Sequence, residues 1–182
     1  PVIEVTSGTD PGKLPDAGVY VGTEAVLHRI ERASRVVFLE FDQELLAPRF
    51  RAAEQAMTLL ARAARLLGPR SNGGRLVVQT RQSDHEVLQA ALHADPGRLA
   101  GPESERRRLL ALPPHTALAR VSGAVAGEFV DRLGRPDGID VLGPRDGAWL
   151  VRAADHDRLA DALAEVERPR GRLHLQVDPP RV

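Results

Sequence analysis

The sequence predicts a mixed α/β protein: a parallel sheet with helices, followed by a small α+β domain of βαββαβ order. Apolar residues recur at three- and four-residue steps along residues 49–68, which is typical of one helical face. An apolar run lies on each side, at residues 35–41 and 75–80, so strand, helix and strand form a βαβ crossover. From His115 onwards the pattern changes to short strands and helices, which predicts a second domain.

Bulk composition limits the classes of function. The chain has 182 residues, 42% hydrophobic and 27% charged, which is ordinary for a globular protein. Its net charge is zero, so any nucleic-acid site must be local. Without cysteine the chain offers no zinc thiolate site and no disulfide. We find no signal peptide and no apolar run that could span a bilayer, and expect a cytoplasmic protein. Because the chain enters a strand-like segment at Pro1 without a methionine, we also expect a piece of a longer protein.

The first part alternates strand and helix signals. Strands are predicted at residues 1–8, 18–23 and 35–41, with a short helix-compatible segment at residues 24–34. The third strand is almost continuously apolar, as expected where both faces of a sheet are covered. Pro48 fits the first turn of the central helix and Gly68 its end. These strands are expected to form one parallel sheet.

Two helices are predicted to connect the parts. Residues 83–86, Ser-Asp-His-Glu, match a capping box that opens the first, and Pro102 opens the second. Pro113-Pro114 ends the second helix, and we place the domain boundary there. The predicted limits are residues 1–82, a helical connector at 83–114, and a C-terminal domain at 115–182.

In the C-terminal domain, strand patterns alternate with amphipathic helices. Val125, Phe129 and Leu133 share one helical face, and Asp155 is placed to cap a second helix. Asp146-Gly147 between two strand patterns predicts a hairpin.

Motifs for catalysis are weak. Residues 8–14 superficially resemble a phosphate loop, but the glycine spacing is short and Leu14 stands where magnesium needs a hydroxyl, so we predict an ordinary turn. The histidines lack metal-site spacing, and those beside acidic residues fit helix starts. We therefore predict no catalytic residue and no metal ligand in this chain.

Clustered arginines are the feature best suited to binding phosphate. One group lies on and after the central helix, another is a triplet, and a third precedes the last strand: Arg62, Arg65, Arg70 and Arg75; Arg106, Arg107 and Arg108; Arg168, Arg170 and Arg172. The alternative is a solvated face balanced by nearby glutamates, Glu103, Glu105, Glu165 and Glu167. Aromatic residues make up 3% of the chain, which disfavours base stacking.

The order of segments resembles the PriA family of primosomal replication-restart DNA helicases over nearly the whole chain. VYVGTEAV at residues 19–26 resembles the family's fifth helicase motif, and FRAAEQ at residues 50–55 the phrase before its sixth. Further landmarks follow in the family's order: GRLVVQT, SDHEVLQAAL, ERRRLLALPPH and LHLQVDP.

The resemblance implies a fold and partners. The first part would be the end of the second RecA-like helicase lobe, and the second part a C-terminal domain that resembles a ribosomal small-subunit protein and helps to bind branched DNA. In the family, ATP and magnesium bind at the interface between lobes, and zinc binds in an insertion that would precede Pro1. The implied partners are DNA forks or junctions, primosome proteins and single-strand-binding proteins, with no membrane.

The chain departs from the family at the ATP-binding motifs. Aligned without gaps, the sixth motif falls on residues 62–69, where Leu66 and Pro69 replace the two late arginines. The family's Lys-Gly pair after the fifth motif becomes His28-Arg29 or thereabouts. Loss of an arginine finger costs roughly a thousandfold or more in phosphoryl transfer. The remnants of the ATP site would be Gly22, Thr23, Arg62 and Arg65.

Two functions therefore stand side by side. One is a divergent replication-restart protein that binds DNA without hydrolysing ATP. The other is an ATP-dependent 3′–5′ helicase whose catalytic residues precede Pro1, so whether the protein is an enzyme stays open. DNA contacts are expected through arginine forks. The candidates are Arg106, Arg107, Arg108, Arg145, Arg168, Arg170 and Arg172.

Overall fold

The computed structural model describes residues 1–6, 8–10, 14 and 18–179. It shows a mixed α/β protein with two small parallel sheets and one four-stranded antiparallel sheet. Residue contacts divide the chain into two compact units. The first contains Pro1–Pro48 and Ala52–Leu99, and the second contains Arg49–Arg51 and Ala100–Val182.

The first unit contains four strands of four residues each. β1 (Val2–Val5) pairs in parallel with β2 (Val19–Gly22), and β3 (Arg35–Phe38) pairs in parallel with β4 (Arg75–Val78). The expectation of one continuous parallel sheet is wrong for the described residues, because β2 and β3 belong to separate sheets. Apolar runs indicate strands, but the partner of each strand is fixed by tertiary packing.

The helices of the first unit centre on one long element. They are α1 (Val26–Arg29), α2 (Asp42–Leu45), α3 (Ala52–Leu67) and α4 (Glu86–Leu92), with 3₁₀ turns at Arg70–Asn72 and Pro96–Leu99. α3 begins four residues after Pro48, so the prediction that this proline lies in its first turn is wrong. The helix ends before Gly68, as predicted, where φ is +70° and glycine avoids the clash of a side chain.

Two apolar clusters hold α3 in place. One contains Phe41, Leu60 and Val87, and the other contains Leu27, Ala63 and Leu66. Val36 and Phe38 of β3 join these clusters. The alternate residue Val37 is 55% exposed, so the expectation that both faces of this strand are covered is wrong. Because helices cover one face alone, the strand alternates between core and surface.

α4 starts differently from the predicted capping box. His85 is the residue that precedes the helix, and its Nδ1 accepts a hydrogen bond from the Val87 backbone at 3.3 Å. The capping role predicted for this histidine region is therefore confirmed, whereas Ser83 lies two residues too early to cap. The His85 side chain thus accepts from one of the free amides at the start of the helix, in place of the reciprocal Ser–Glu hydrogen bonds of a capping box.

The second unit has the predicted βαββαβ order, which is confirmed. After α5 (Ala100–Leu109), its elements are β5 (Ala117–Ser122), α6 (Ala126–Leu133), β6 (Ile139–Arg145), β7 (Ala148–Ala153), α7 (His156–Ala164) and β8 (His174–Val177). The strands pair antiparallel in the order β6-β7-β5-β8. Each helix thus links two strands that have another strand between them, the ferredoxin-like arrangement of split βαβ units.

One face of this sheet packs against α6 and α7. Val121 and Val151 from the strands meet Phe129 and Leu159 from the helices, and all four are buried. Neighbouring strand residues point to the opposite side, which we call the open face, and of these Leu118 is itself buried at 2% exposure. Cross-strand register assigns to it Arg120, Ser122, Leu142, Leu150, Arg152, His174 and Gln176.

The predicted turn chemistry of the second unit is confirmed. Asp146 and Gly147 join β6 to β7, with φ of 50° and 72°. Positive φ at both central residues is the requirement of a type I′ hairpin. Asp155 caps α7, and its Oδ1 accepts from the Arg158 backbone at 2.8 Å.

The predicted domain limits at residues 82 and 114 stay a prediction. The residues of the predicted connector are shared between the two units, since α4 lies in the first unit and α5 in the second. Among the described residues, no helix is both long and apolar enough to cross a membrane.

Candidate nucleic-acid interface

Strand register gathers polar residues at one end of the second unit. Arg145 pairs with Ala148, Ala148 with Ser122, and Ser122 with His174, so a single row crosses all four strands. We call this row and the loops beyond it the hairpin end of the sheet. At about 4.8 Å between strands, the row is about 14 Å wide.

The connection from α7 to β8 reaches the same end. A Cβ on Gly123, in the loop between β5 and α6, would lie 2.3 Å from the carbonyl oxygen of Arg172, so the two backbones touch. The Val125 amide donates to that same carbonyl at 3.4 Å. Gly171 packs on the side chain of Val125. Arg170 and Arg172 therefore lie at the hairpin end, together with Arg145.

Arg168 lies earlier in the same connection. It follows Glu167, whose carbonyl oxygen accepts a hydrogen bond from Arg132 Nη1 at 3.0 Å. Arg132 is near the C-terminus of α6, so this anchor is away from the strand row. The connection is thus held at Glu167 and again at Arg172. Residues 167–172 contain three of the candidate arginines, Arg168, Arg170 and Arg172.

Four of the predicted DNA-binding arginines are exposed and have no carboxylate within 4.0 Å among the described residues. They are Arg145, Arg168, Arg170 and Arg172. An exposed guanidinium without an acidic partner keeps its five donors for a ligand. The hairpin end therefore carries accessible positive charge, although the whole chain is neutral.

The predicted arginine triplet on α5 is bound by its own helix. Arg106 pairs with Glu103, and Arg108 donates to both carboxylate oxygens of Glu105, at 3.0 and 2.6 Å. The hydrogen bond from Arg108 lowers the pKa of Glu105, and the same hydrogen bond raises the pKa of Arg108. Much of the positive charge of the triplet is thus already neutralised.

Arg107 is buried at 7% exposure. Its Nε donates to Glu103 Oε1 at 2.9 Å, and Glu103 is itself 6% exposed. The guanidinium carbon of Arg107 lies 5.5 Å from the ring centroid of Phe50, within cation–π range. This arginine holds α5 to the segment Arg49–Arg51 and presents little surface to a phosphate.

Two further arginines, which the runs of arginine in the sequence do not indicate, lie on the open face. Arg120 lies on β5, where its Nη1 donates to Ser122 Oγ at 3.4 Å, and Arg152 on β7 pairs with Asp140 at 2.7 Å. Both were embedded in apolar strands rather than in arginine runs. The sequence signal for Arg120 is the period-two alternation of a strand at residues 117–122. This alternation directs Arg120 to the face of the sheet opposite to that of Ala119 and Val121.

None of the strand residues that cross-strand register assigns to the open face is aromatic. Trp149 lies on the side of the sheet that carries the helices, with its ring 3.3 Å from where a Cβ on Gly127 would be. Phe129 is fully buried. This face is therefore suited to contact the backbone phosphates of a nucleic acid rather than to stack on its bases.

The first two expected ATP-site remnants form a turn in the first unit. Gly22 ends β2, where a Cβ would lie 2.1 Å from the carbonyl oxygen of Val5. The following Thr23 is exposed, and its carbonyl accepts from Val26 at 3.0 Å as α1 begins. Glycine is thus required at position 22 by the close approach of β1, whether or not a nucleotide binds.

The other two remnants lie on α3 and have different surroundings. Arg62 is half-buried, and its Nη1 donates to His28 Nδ1 at 2.8 Å. Arg65 is exposed near the C-terminus of the helix. Leu66 is 9% exposed and belongs to the cluster with Leu27 and Ala63, while Pro69 lies in the turn after the helix.

The described residues hold no group of three or more His, Cys, Asp or Glu side chains that could bind a metal ion. The segment at residues 8–14, which superficially resembles a phosphate loop and is predicted to be an ordinary turn, lies partly outside the described residues, because residues 11–13 are not among them.

Comparison with known proteins supports a distant relationship to replication restart. The chain matches no model of a known protein family. It is 31% identical over 114 residues to the replication restart protein PriA of Treponema pallidum and 28% identical over 106 residues to that of Chlamydia pneumoniae. It is also 33% identical over 104 residues to a Mycobacterium leprae protein named "Probable replication restart protein PriA".

These matches cover part of each chain. They include 57%, 57% and 56% of this chain for the Treponema, Chlamydia and Mycobacterium proteins, respectively. The aligned parts amount to 17%, 14% and 16% of the relatives' own lengths. The chain is therefore distantly similar to a small part of the PriA replication restart proteins.

Proposed function

Starting from this distant similarity, we propose that the chain is part of a replication-restart protein and binds fork or junction DNA through phosphate contacts of its second unit. The observation that carries the proposal is a set of exposed arginines at or near the hairpin end that have no carboxylate partner among the described residues: Arg145, Arg168, Arg170 and Arg172. Guanidinium groups bind phosphate oxygens in pairs, and such contacts position a protein on DNA without reading its sequence.

The present partners of the candidate arginines support an order of importance among them. Arg106 and Arg108 would have to exchange a carboxylate for a phosphate, and Arg107 would have to leave a buried pair. Arg145, Arg170 and Arg172 would lose water alone. We therefore propose that the hairpin end makes the main contacts and that the α5 triplet contributes less.

We further propose that the first unit is the end of a RecA-like lobe that no longer takes part in ATP hydrolysis. Leu66 occupies an apolar cluster at the position where the family resemblance calls for an arginine. Pro69 cannot supply a guanidinium either. In this proposal the partners are branched DNA, primosome proteins and single-strand-binding proteins of the cytoplasm, and this chain binds no ATP, magnesium or zinc itself.

The DNA proposal is tested by titrating a fluorescent fork with the 182-residue chain at about 50 and about 150 mM salt. Affinity in the micromolar range or weaker is expected, with a slope near one unit for each phosphate neutralised. Changing Arg145, Arg168, Arg170 and Arg172 together to Ala should lower the slope by roughly three to four units.

A control variant changes three arginines of the same unit that have carboxylate partners, Arg106, Arg108 and Arg158, to Ala, and leaves the anchoring Arg132 in place. Its slope should change by less than half as much. Binding that is indifferent to salt, or a control that loses as much slope as the hairpin-end variant, would contradict the proposal.

The ATPase proposal has its own measurement. Release of inorganic phosphate from ATP, with and without fork DNA, should equal that of a heat-denatured sample. DNA-stimulated release by the native chain would instead support the alternative, a working helicase.

A further inference from the structure

A second group of exposed arginines lies in the first unit, at the edge where β3 and β4 begin. Its members, which we call the amino-edge arginines, are Arg32, Arg35, Arg65, Arg70 and Arg75. All five are exposed, and the described residues place no carboxylate within 4.0 Å of any of them. Along residues 30–35 and 65–75 they face one acidic residue, Glu31.

Backbone hydrogen bonds hold these two segments together. The Ala33 amide donates to Leu66 O at 2.9 Å, and the Arg75 amide donates to Ser34 O at 3.1 Å. The turn between α3 and β4 is closed by a bond from Gly73 to Arg70 O at 3.1 Å. The five arginines therefore belong to one surface, set by the end of α3 and the starts of two strands.

Two of these arginines are direct cross-strand partners. Arg35 and Arg75 are in register in the parallel pair, about 4.8 Å apart at the backbone, and both belong to the exposed face that carries Val37 and Val77. Like charges directly opposite each other destabilise a sheet. Among the described residues no carboxylate lies within 4.0 Å of either arginine to relieve this repulsion, whereas a bound anion with several oxygens would.

We propose that the amino-edge arginines form a second phosphate-binding surface, which takes the DNA backbone independently of the hairpin end. This inference rests on the proposed function, because the DNA context selects nucleic-acid phosphate over other anions. Planar guanidinium forks on neighbouring strands match the oxygens of consecutive phosphates. A molecule with two such surfaces contacts more phosphates than a molecule with one such surface. The affinity for DNA therefore falls more steeply as the salt concentration rises.

The test uses the full 182-residue chain and a fluorescent 20-base-pair duplex, titrated from about 50 to about 200 mM salt. The double variant Arg35→Gln with Arg75→Gln should lower the salt slope by about two units and weaken binding roughly tenfold at the lowest salt. Its thermal midpoint should not fall, because the change removes a repulsion.

The matched control is Arg81→Gln with Arg98→Gln, which removes the same charge from the same unit away from the amino edge. Its slope should equal that of the unchanged chain. An unchanged slope for the Arg35/Arg75 variant, or an equal loss in the control, would overturn the inference.

Two further probes identify the anion if DNA is the wrong one. The Arg35/Arg75 variant is compared with the unchanged chain for binding to polyglutamate and to labelled ATP. Loss of either without loss of duplex binding would overturn the DNA assignment and indicate an acidic protein or a free nucleotide.

The outcomes also separate the two proposals. If the hairpin-end variant loses slope and the amino-edge variant does not, the further inference fails and the proposed function stands. If the reverse is found, the hairpin-end assignment is the one that fails.

Discussion

At the scale of single residues, Leu66 shows how position decides what a side chain can do. The family resemblance sets an arginine at this place, but here it packs with Leu27 and Ala63 between α1 and α3. An arginine introduced there must either carry its charge into an apolar cluster or push its stem out to water.

We therefore expect Leu66→Arg to destabilise the chain by about 2 to 4 kcal/mol and to restore no ATP hydrolysis. Urea unfolding followed by helical circular dichroism measures the loss. Leu66→Met, which keeps the volume, should cost less than about 1.5 kcal/mol. A tolerated arginine that brings phosphate release above background would show that the cluster can open to a functional side chain.

At the scale of the elements, Asp42 holds the crossover from β3 to β4 together beyond the C-terminal end of β4. Thr80 and the backbone of Arg81 both donate to this carboxylate, the latter at 3.2 and 3.0 Å. These hydrogen bonds, the one from Thr80 first, lower the pKa of Asp42 below its usual 3.8. Asp42 starts α2, so one side chain joins a helix start to the end of the next strand.

The lowered pKa gives a pH dependence with a definite sign. Because the unfolded chain binds this proton more readily, the stabilisation is complete above pH 3.8 and is lost as the pH falls through the lower folded pKa. Asp42→Asn should therefore lower the urea midpoint at pH 7 and make less difference at pH 2.5. Asp84→Asn is the control, and an Asp42→Asn effect that is equal at both pH values would contradict this account.

Much of the element structure could be predicted from the sequence, and the failures have physical causes. Local signals placed β5 to β8, the Asp146-Gly147 turn and the Asp155 cap, because each depends on residues close in the chain. Long-range pairing did not follow: nothing local shows that β2 and β3 belong to different sheets. A run of three arginines predicts a phosphate-binding site on α5. In the structure, Glu103 and Glu105, one helical turn away, pair with these arginines and neutralise much of their charge.

For the whole molecule, the division into units crosses the chain order. Arg49–Arg51 precede α3 in sequence but belong by contacts to the second unit. Phe50 lies there with its ring near the guanidinium groups of Arg51 and Arg107, at 5.3 and 5.5 Å. A residue next to the central helix of the first unit thus supports the second.

We expect Phe50→Ala to destabilise the second unit by about 1 to 3 kcal/mol, since a half-buried aromatic ring and a cation–π contact are lost. Trp149 is the single tryptophan of the chain and lies in the second unit, so its fluorescence reports that unit during urea unfolding. Phe41→Leu, in the core of the first unit, should leave the tryptophan transition unchanged. The opposite pattern would assign Phe50 to the first unit.

The double anchoring of the connection between α7 and β8 has a consequence for the thermodynamics of the proposed DNA binding. Arg132 holds the Glu167 carbonyl, and Val125 together with the close approach of Gly123 holds that of Arg172. A segment fixed at both ends has already lost most of its conformational entropy on folding, so a ligand need not order it. Binding at the hairpin end should consequently proceed with a small heat-capacity change, in contrast to the large one of a loop that folds around DNA.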